Sequence, residues 1–256
     1  MIEHKPNWWI AETSAWIAVN KPFGLSVEKT IGANDTIEDQ VLAYLKRSTS
    51  MPFLGIVHRL DRVTSGILLL AKKKSALRKL NEQFSQRQVK KIYLAVVEGV
   101  PEKPEAQLSQ WLYKDQKEKK AIIFDEAGEQ RDACQLFYRT LKEDGKKALL
   151  EVELLTGKFH QIRAQLAAMG TPIIGDDKYG ARLTYADKGI ALHAYNLSFV
   201  DPIDGAPILL HAKTPLNPIW KILWIESSGR KKSAPADKYY SGALWCIMTN
   251  TLVDAK

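Results

Sequence analysis

One short segment concentrates side chains able to do chemistry. His58, Arg59, Asp61, Arg62, Thr64 and Ser65 fall within eight residues, in Gly55-Ile-Val-His-Arg-Leu-Asp-Arg-Val-Thr-Ser-Gly66. An aspartate between two guanidinium groups reads as an ionised carboxylate, competent as a nucleophile or a general base. The plainer alternative is a structural Asp–Arg pair that fixes a turn. Such polar density directly before the apolar run Gly66-Ile-Leu-Leu-Leu-Ala71 favours a site. The segment holds neither a Walker pattern nor GxGxxG, and no GxSxG elbow surrounds Ser65. Cys134 and Cys246 lie far apart with no CxxC partner, and HExxH is absent. A disulfide framework or a cysteine-based zinc site is therefore not expected.

A second feature is charge. The 256-residue chain carries a formal net charge of +8, with 45% hydrophobic and 26% charged residues. Those fractions exclude a disordered chain, and no apolar run is long enough to span a bilayer. Glu3, Lys5, Pro6 and Glu12 interrupt the N-terminal stretch where a signal peptide needs apolar residues, so a cytoplasmic protein is expected. The excess is local. Lys72, Lys73, Lys74, Arg78, Lys79, Arg87, Lys90 and Lys91 face a single acidic residue, Glu82, in one window. That window reads either as a solvated helix face or as a stripe turned towards nucleic-acid phosphates.

These residues must be positioned by a scaffold. Thr36 is placed to cap a helix carrying Ile37, Val41, Leu42 and Leu45, and Ser75 to cap another carrying Leu77, Leu80 and Phe84. A third helix is expected over 160–169, ended by Gly170. Strands are expected over 66–71, 92–97, 134–138 and 149–155, with more near 190–193, 197–200 and 208–212. The Lys114–Lys120 stretch reads as a polar loop or hairpin. Strands outnumber helices without regular alternation. The expected fold class is α+β, a mixed, mainly antiparallel central sheet with flanking helices and a basic cleft. One catalytic domain is expected over 1–226. A linker-like tail follows over 227–256, including the apolar Ala243–Met248 run.

The segment His58-Arg-Leu-Asp-Arg-Val-Thr-Ser-Gly66 resembles the signature of the large-ribosomal-subunit type A (RluA) family of RNA pseudouridine synthases. Asn20-Lys-Pro-Phe-Gly-Leu-Ser-Val27 and Lys91-Ile-Tyr-Leu-Ala-Val-Val-Glu-Gly99 are similar to its NKPxG and KxYxAxVxG elements. Thr156-Gly-Lys-Phe-His-Gln-Ile-Arg163, Pro172–Gly180 and Ala191–Ala194 resemble its C-terminal motifs. Taken together the likeness spans about 15–215.

The resemblance implies isomerisation of uridine to pseudouridine in structured rRNA or tRNA, without metal or cofactor. It implies Asp61 as catalytic aspartate, Tyr93 as a base-stacking tyrosine that assists proton removal at C5, and Arg163 as partner of the carboxylate. Arg59 is implied to fill the space left by a flipped base, and His58, Arg62, Lys158 and His160 to contact RNA. With the resemblance, the Lys72–Lys91 stripe is expected to flank the cleft. Lys158 stands where relatives commonly carry Arg, and Gln165 where they often carry His. No S4 domain is expected before Asn20, so affinity would rest on the catalytic domain, expected to act as a monomer. Two other functions are weighed: a non-catalytic RNA-binding or ribosome-assembly factor on the same fold, and a nuclease using His58 and His160.

Overall fold

The structure, a computed structural model, describes residues 6–29 and 35–222. They belong to one compact unit spanning Met1–Leu223. The tail expected over 227–256, with Cys246 and Ala243–Met248, lies outside the described residues, so the expected boundary at 226 does too.

Two short strands, β1 (Trp9–Glu12) and β2 (Trp16–Lys21), lead to helix α1 (Ile37–Leu45). After β3 (Gly55–Ile56) come β4 (Ser65–Ala71), helix α2 (Lys74–Ser85) and β5 (Lys90–Glu98). A meander follows: β6 (Glu105–Asp115), β7 (Lys120–Phe124), β8 (Arg131–Glu143) and β9 (Lys147–Leu154). Helix α3 (Gln161–Ala168), a 3₁₀ turn (Asp177–Tyr179), β10 (Leu192–Val200), β11 (Pro207–His211) and α4 (Pro218–Ile222) complete it. The strands form one eleven-stranded sheet in the order β1-β2-β4-β10-β5-β9-β8-β6-β7, with β3 beside β4 and β11 beside β10. Among the described pairings only β4 with β10 is parallel. The expected α+β class with a mainly antiparallel sheet therefore holds.

The uninterrupted apolar run of β4 is explained by burial on both faces. Ile67, Leu69 and Ala71 pack with Trp16, Ala76, Leu80 and Phe199, while Leu68 and Leu70 pack with Ile17, Val19 and the α1 residues Ile37, Val41 and Leu45. Thr36 caps α1 as expected, its hydroxyl accepting the Asp39 amide at 3.1 Å. Ser75 does not cap α2. The helix begins earlier, at Lys74, and its N-cap residue Lys73 makes no side-chain cap bond. The strands expected near 190–193 and 197–200 are one strand, whose register shifts between Ala194 and Asn196.

The β4–β10–β5 seam positions the chemistry. Gly66 and Tyr93 both pair with Ala194, from opposite sides. A Cβ on Gly66, at φ +116, would sit 2.2 Å from the Ala194 carbonyl oxygen, so only glycine lets the strand after Asp61 approach this closely. The Ser65 hydroxyl donates to His193 Nδ1 at 2.9 Å, and His193 Nε2 donates to the Ala212 carbonyl at 3.2 Å. A carbonyl can only accept, which fixes the Nε2–H tautomer.

Burial lowers the His193 imidazole from 6.5 to about 4. Between those values the unfolded chain binds more protons than the folded one, so this contribution is complete above 6.5 and is lost as pH falls. Denaturant titrations at pH 7 and pH 5 are expected to differ by roughly 2 kcal/mol from this site. His193→Gln is expected to flatten the difference, and an unchanged slope would refute the assignment.

Candidate active site

A cleft of about 690 Å³ opens between the loop before β4, the first half of β5 and the start of α3. Asp61 lines it, with a side chain 27% exposed. Its Oδ2 accepts from Arg163 Nη1 at 3.0 Å, and among the described residues its Oδ1 takes no hydrogen bond. Arg163 is itself clamped from the other side: Nε and Nη2 donate to the two carboxylate oxygens of Asp176 at 2.7 and 2.8 Å. Burial alone would depress this guanidinium. The hydrogen bonds and charge of Asp176, then Asp61, outweigh it and push the group above its ordinary value. Arg163 is thus a fixed cation aimed at one oxygen of Asp61.

Tyr93 lines the same cleft from β5 and is almost fully buried. Burial, reinforced by the Asp61 charge, holds its phenol well above the ordinary value, so the free protein presents a neutral ring. His160, the residue before α3, sits at φ +52 with its Nε2 3.7 Å from Asp61 Oδ2. Lys21 braces the loop that carries Asp61. Its buried ammonium donates to the carbonyls of Pro22, Leu25 and Arg62 at 2.9, 2.8 and 3.2 Å, tying the Asn20–Gly24 turn to the Asp61 loop. Burial lowers it to about 7, against the opposing charge of Asp61.

A carboxylate, a clamped arginine and a buried tyrosine meet in this cleft, and comparison with known proteins decides the family. The RNA pseudouridylate synthase family matches residues 15–168. The chain belongs to that family. The synthase is 34% identical over 226 residues to a ribosomal large subunit pseudouridine synthase C of Buchnera aphidicola, covering 84% of this chain and 69% of the relative. It is 36% identical to the protein of that name from Rickettsia felis, covering 80% and 67%. An uncharacterized RNA pseudouridine synthase of Zymomonas mobilis is 34% identical, covering 77% and 89%. Human RNA pseudouridylate synthase domain containing 4 superposes with a TM-score of 0.68 at 24% identity, covering 81% and 88%, which shows the shared fold. The protein is an RNA pseudouridine synthase, an isomerase that acts on RNA.

The synthase distributes its other expected site residues unevenly. Arg59, 72% exposed at the cleft mouth, pairs with Glu28 at 2.8 Å. Arg62 is exposed and lines the cleft, as does Lys158, whose Nζ lies 3.1 Å from Asp132. His58, expected to contact RNA, also lines the cleft; its Nε2 accepts the Leu69 amide at 3.1 Å and its ring stacks on Phe84, so it braces the loop against β4. Burial, then Lys91, lowers it to about 3, so the imidazole is neutral.

Of the eight basic residues between Lys72 and Lys91, Lys91 alone lines the cleft. Lys72 pairs with Glu12 and donates to the Thr13 carbonyl, Lys79 donates to the Pro202 carbonyl, and Lys90 pairs with Glu153. Lys73, Lys74 and Arg78 lie at the start of α2. The cause is geometric. β4 leads away from Asp61, and seven extended residues carry the chain about 20 Å before α2 turns back. Only the far end of α2 reaches the cleft, through Phe84.

Several residues in or behind the cleft carried no signal in the sequence. Asp176 and Tyr179, which hold Arg163 and His160 from behind, belong to one of the C-terminal motifs, but nothing in their types marks them as buttresses. Lys114 sits at the end of β6 and reaches the cleft, its Nζ 4.9 Å from the centre of the Phe159 ring. Glu28 was masked by its position in a polar stretch.

Proposed function

We propose that the enzyme isomerises specific uridines of large-subunit ribosomal RNA, with Asp61 as the catalytic carboxylate. The observation that carries this reading is the asymmetry of Asp61: one oxygen is held by Arg163 and the other is left open to the cleft. Two curated relatives named for the large ribosomal subunit support the choice of RNA. The free oxygen acts on the ribose side of the scissile bond, while Arg163 keeps the carboxylate aimed. Tyr93 offers its ring face to the base, and removal of the C5 proton follows once the base has been detached, turned and rejoined.

A stacked uridine must first leave its helix, at a cost of a few kcal/mol. Arg59 is the residue poised to offset that cost, since a guanidinium plane stacks on the bases beside the vacated space. Arg62, Lys91, Lys114 and Lys158 supply phosphate contacts around the mouth. Arg59→Ala is expected to lower kcat/KM by about 10- to 100-fold on structured RNA, from loss of roughly 1–3 kcal/mol of stacking. The loss should shrink on an unstructured oligonucleotide whose target uridine is already unstacked. Equal losses on both substrates would exclude a flipping role.

The direct test uses transcripts of the organism's own rRNAs and tRNAs carrying uridine tritiated at C5. Release of tritium from large-subunit rRNA is the expected result. Release from tRNA alone would move the substrate, and no release across the set by folded protein would overturn the reading.

A further inference from the structure

Asp61 Oδ2 has two neighbours on α3 and its N-terminal boundary, Arg163 at 3.0 Å and His160 at 3.7 Å. Each is held by the same short turn. Asp176, just before it, clamps Arg163, and Tyr179, three residues later, bonds His160 Nδ1 at 3.0 Å. The Tyr179 oxygen already accepts the Ala121 amide at 2.8 Å. With the Tyr179 hydrogen given to His160 Nδ1, the imidazole proton rests on Nε2, the nitrogen that faces Asp61. The ring is further fixed by stacking on Phe159, with centroids 3.8 Å apart. Burial lowers His160 to about 4, with Asp61 opposing and Arg163, Lys178 and Lys114 assisting, so the neutral tautomer persists at working pH. A non-glycine residue at φ +52 is a strained choice that surrounding contacts must hold in place.

From this arrangement we infer that His160 is a positioning residue for Asp61, its Nε2–H orienting the carboxylate as a second donor beside Arg163, with Tyr179 setting the tautomer. His160 is then no primary RNA contact, contrary to the expectation from its motif. The gap of 3.7 Å is longer than a hydrogen bond, and contacts of this kind close when substrate fills a site. The inference rests on Asp61 being the catalytic carboxylate.

The test is steady-state tritium release from the rRNA transcript on which the wild-type enzyme turns over, with circular dichroism confirming that each variant folds. His160→Ala is expected to lower kcat about 10- to 100-fold with KM within about threefold. His160→Gln, which restores an N–H near the Nε2 position, is expected to recover most of that loss. Tyr179→Phe should lower kcat in the same direction, and the double variant His160→Ala/Tyr179→Phe should be no slower than His160→Ala, because both act through one contact. A loss confined to KM, full activity of His160→Ala, or failure of His160→Gln to recover would each overturn the inference. Asp61→Asn, run beside them, separates the two levels. If it remains active, the reading of Asp61 falls and this inference with it. If it is inactive while His160→Ala matches wild type, only the inference falls.

Discussion

Asp61→Asn is expected to lower single-turnover isomerisation at least about a thousandfold, equivalent to roughly 4 kcal/mol of transition-state stabilisation. Asparagine preserves the shape of the side chain. It removes the anionic oxygen that the cleft leaves open and that the chemistry needs. RNA affinity should stay within about threefold, because the cations proposed to meet phosphates, Arg62, Lys91, Lys114 and Lys158, also line the cleft and are left in place. Tritium release under enzyme excess reads the first quantity and filter binding of the same transcript reads the second. Parallel loss of both would point to a collapsed site instead of a missing reactive group.

Asp176→Asn is expected to damage both stability and turnover, although Asp176 contacts no substrate. The carboxylate is 1% exposed and meets Arg163 through two hydrogen bonds, and the Arg163 side chain is itself only 6% exposed. Removing one partner of such a pair leaves a buried charge half compensated, at a cost of about 3–5 kcal/mol. For a chain of this length that corresponds to a melting temperature lower by about 10 °C. Arg163 then has Asp61 as its remaining carboxylate and is free to swing towards it, closing the reactive oxygen. A drop in kcat of about 10- to 100-fold should accompany the thermal shift, read by calorimetry and tritium release. A variant with unchanged melting temperature would show that Asp176 does not hold Arg163.

The sequence made the chemistry legible sooner than its surroundings. Asp61, Tyr93 and Arg163 come from three segments far apart in the chain; only Asp61 stood out by residue type, Tyr93 and Arg163 were singled out by the family resemblance of their motifs, and the structure brings all three to one cleft. Asp176 was hidden because a carboxylate in Gly175-Asp176-Asp177-Lys178 looks like ordinary turn polarity until the fold supplies Arg163. The bracing role of His58 was hidden in the same way, since only the pairing of the loop with β4 shows its lone pair engaged by the Leu69 amide. The placement of the basic stripe was hidden because proximity in sequence is not proximity in space: a strand separates Lys72 from Asp61. Among the elements, β4 and β9 were readable from apolar runs. β6 was not, because its alternating exposed residues from Glu105 to Asp115 bury little and leave no apolar periodicity to detect.

The central claim, that this chain isomerises uridines of large-subunit rRNA through Asp61, is tested most directly inside the cell. Pseudouridines are mapped across the large-subunit rRNA of a strain lacking the gene, and again after return of the wild-type or the Asp61→Asn form. The account predicts one or more pseudouridines that vanish with the gene, return with the wild-type protein and stay absent with Asp61→Asn. An unchanged rRNA map in the deletion strain, or restoration by Asp61→Asn, would contradict it.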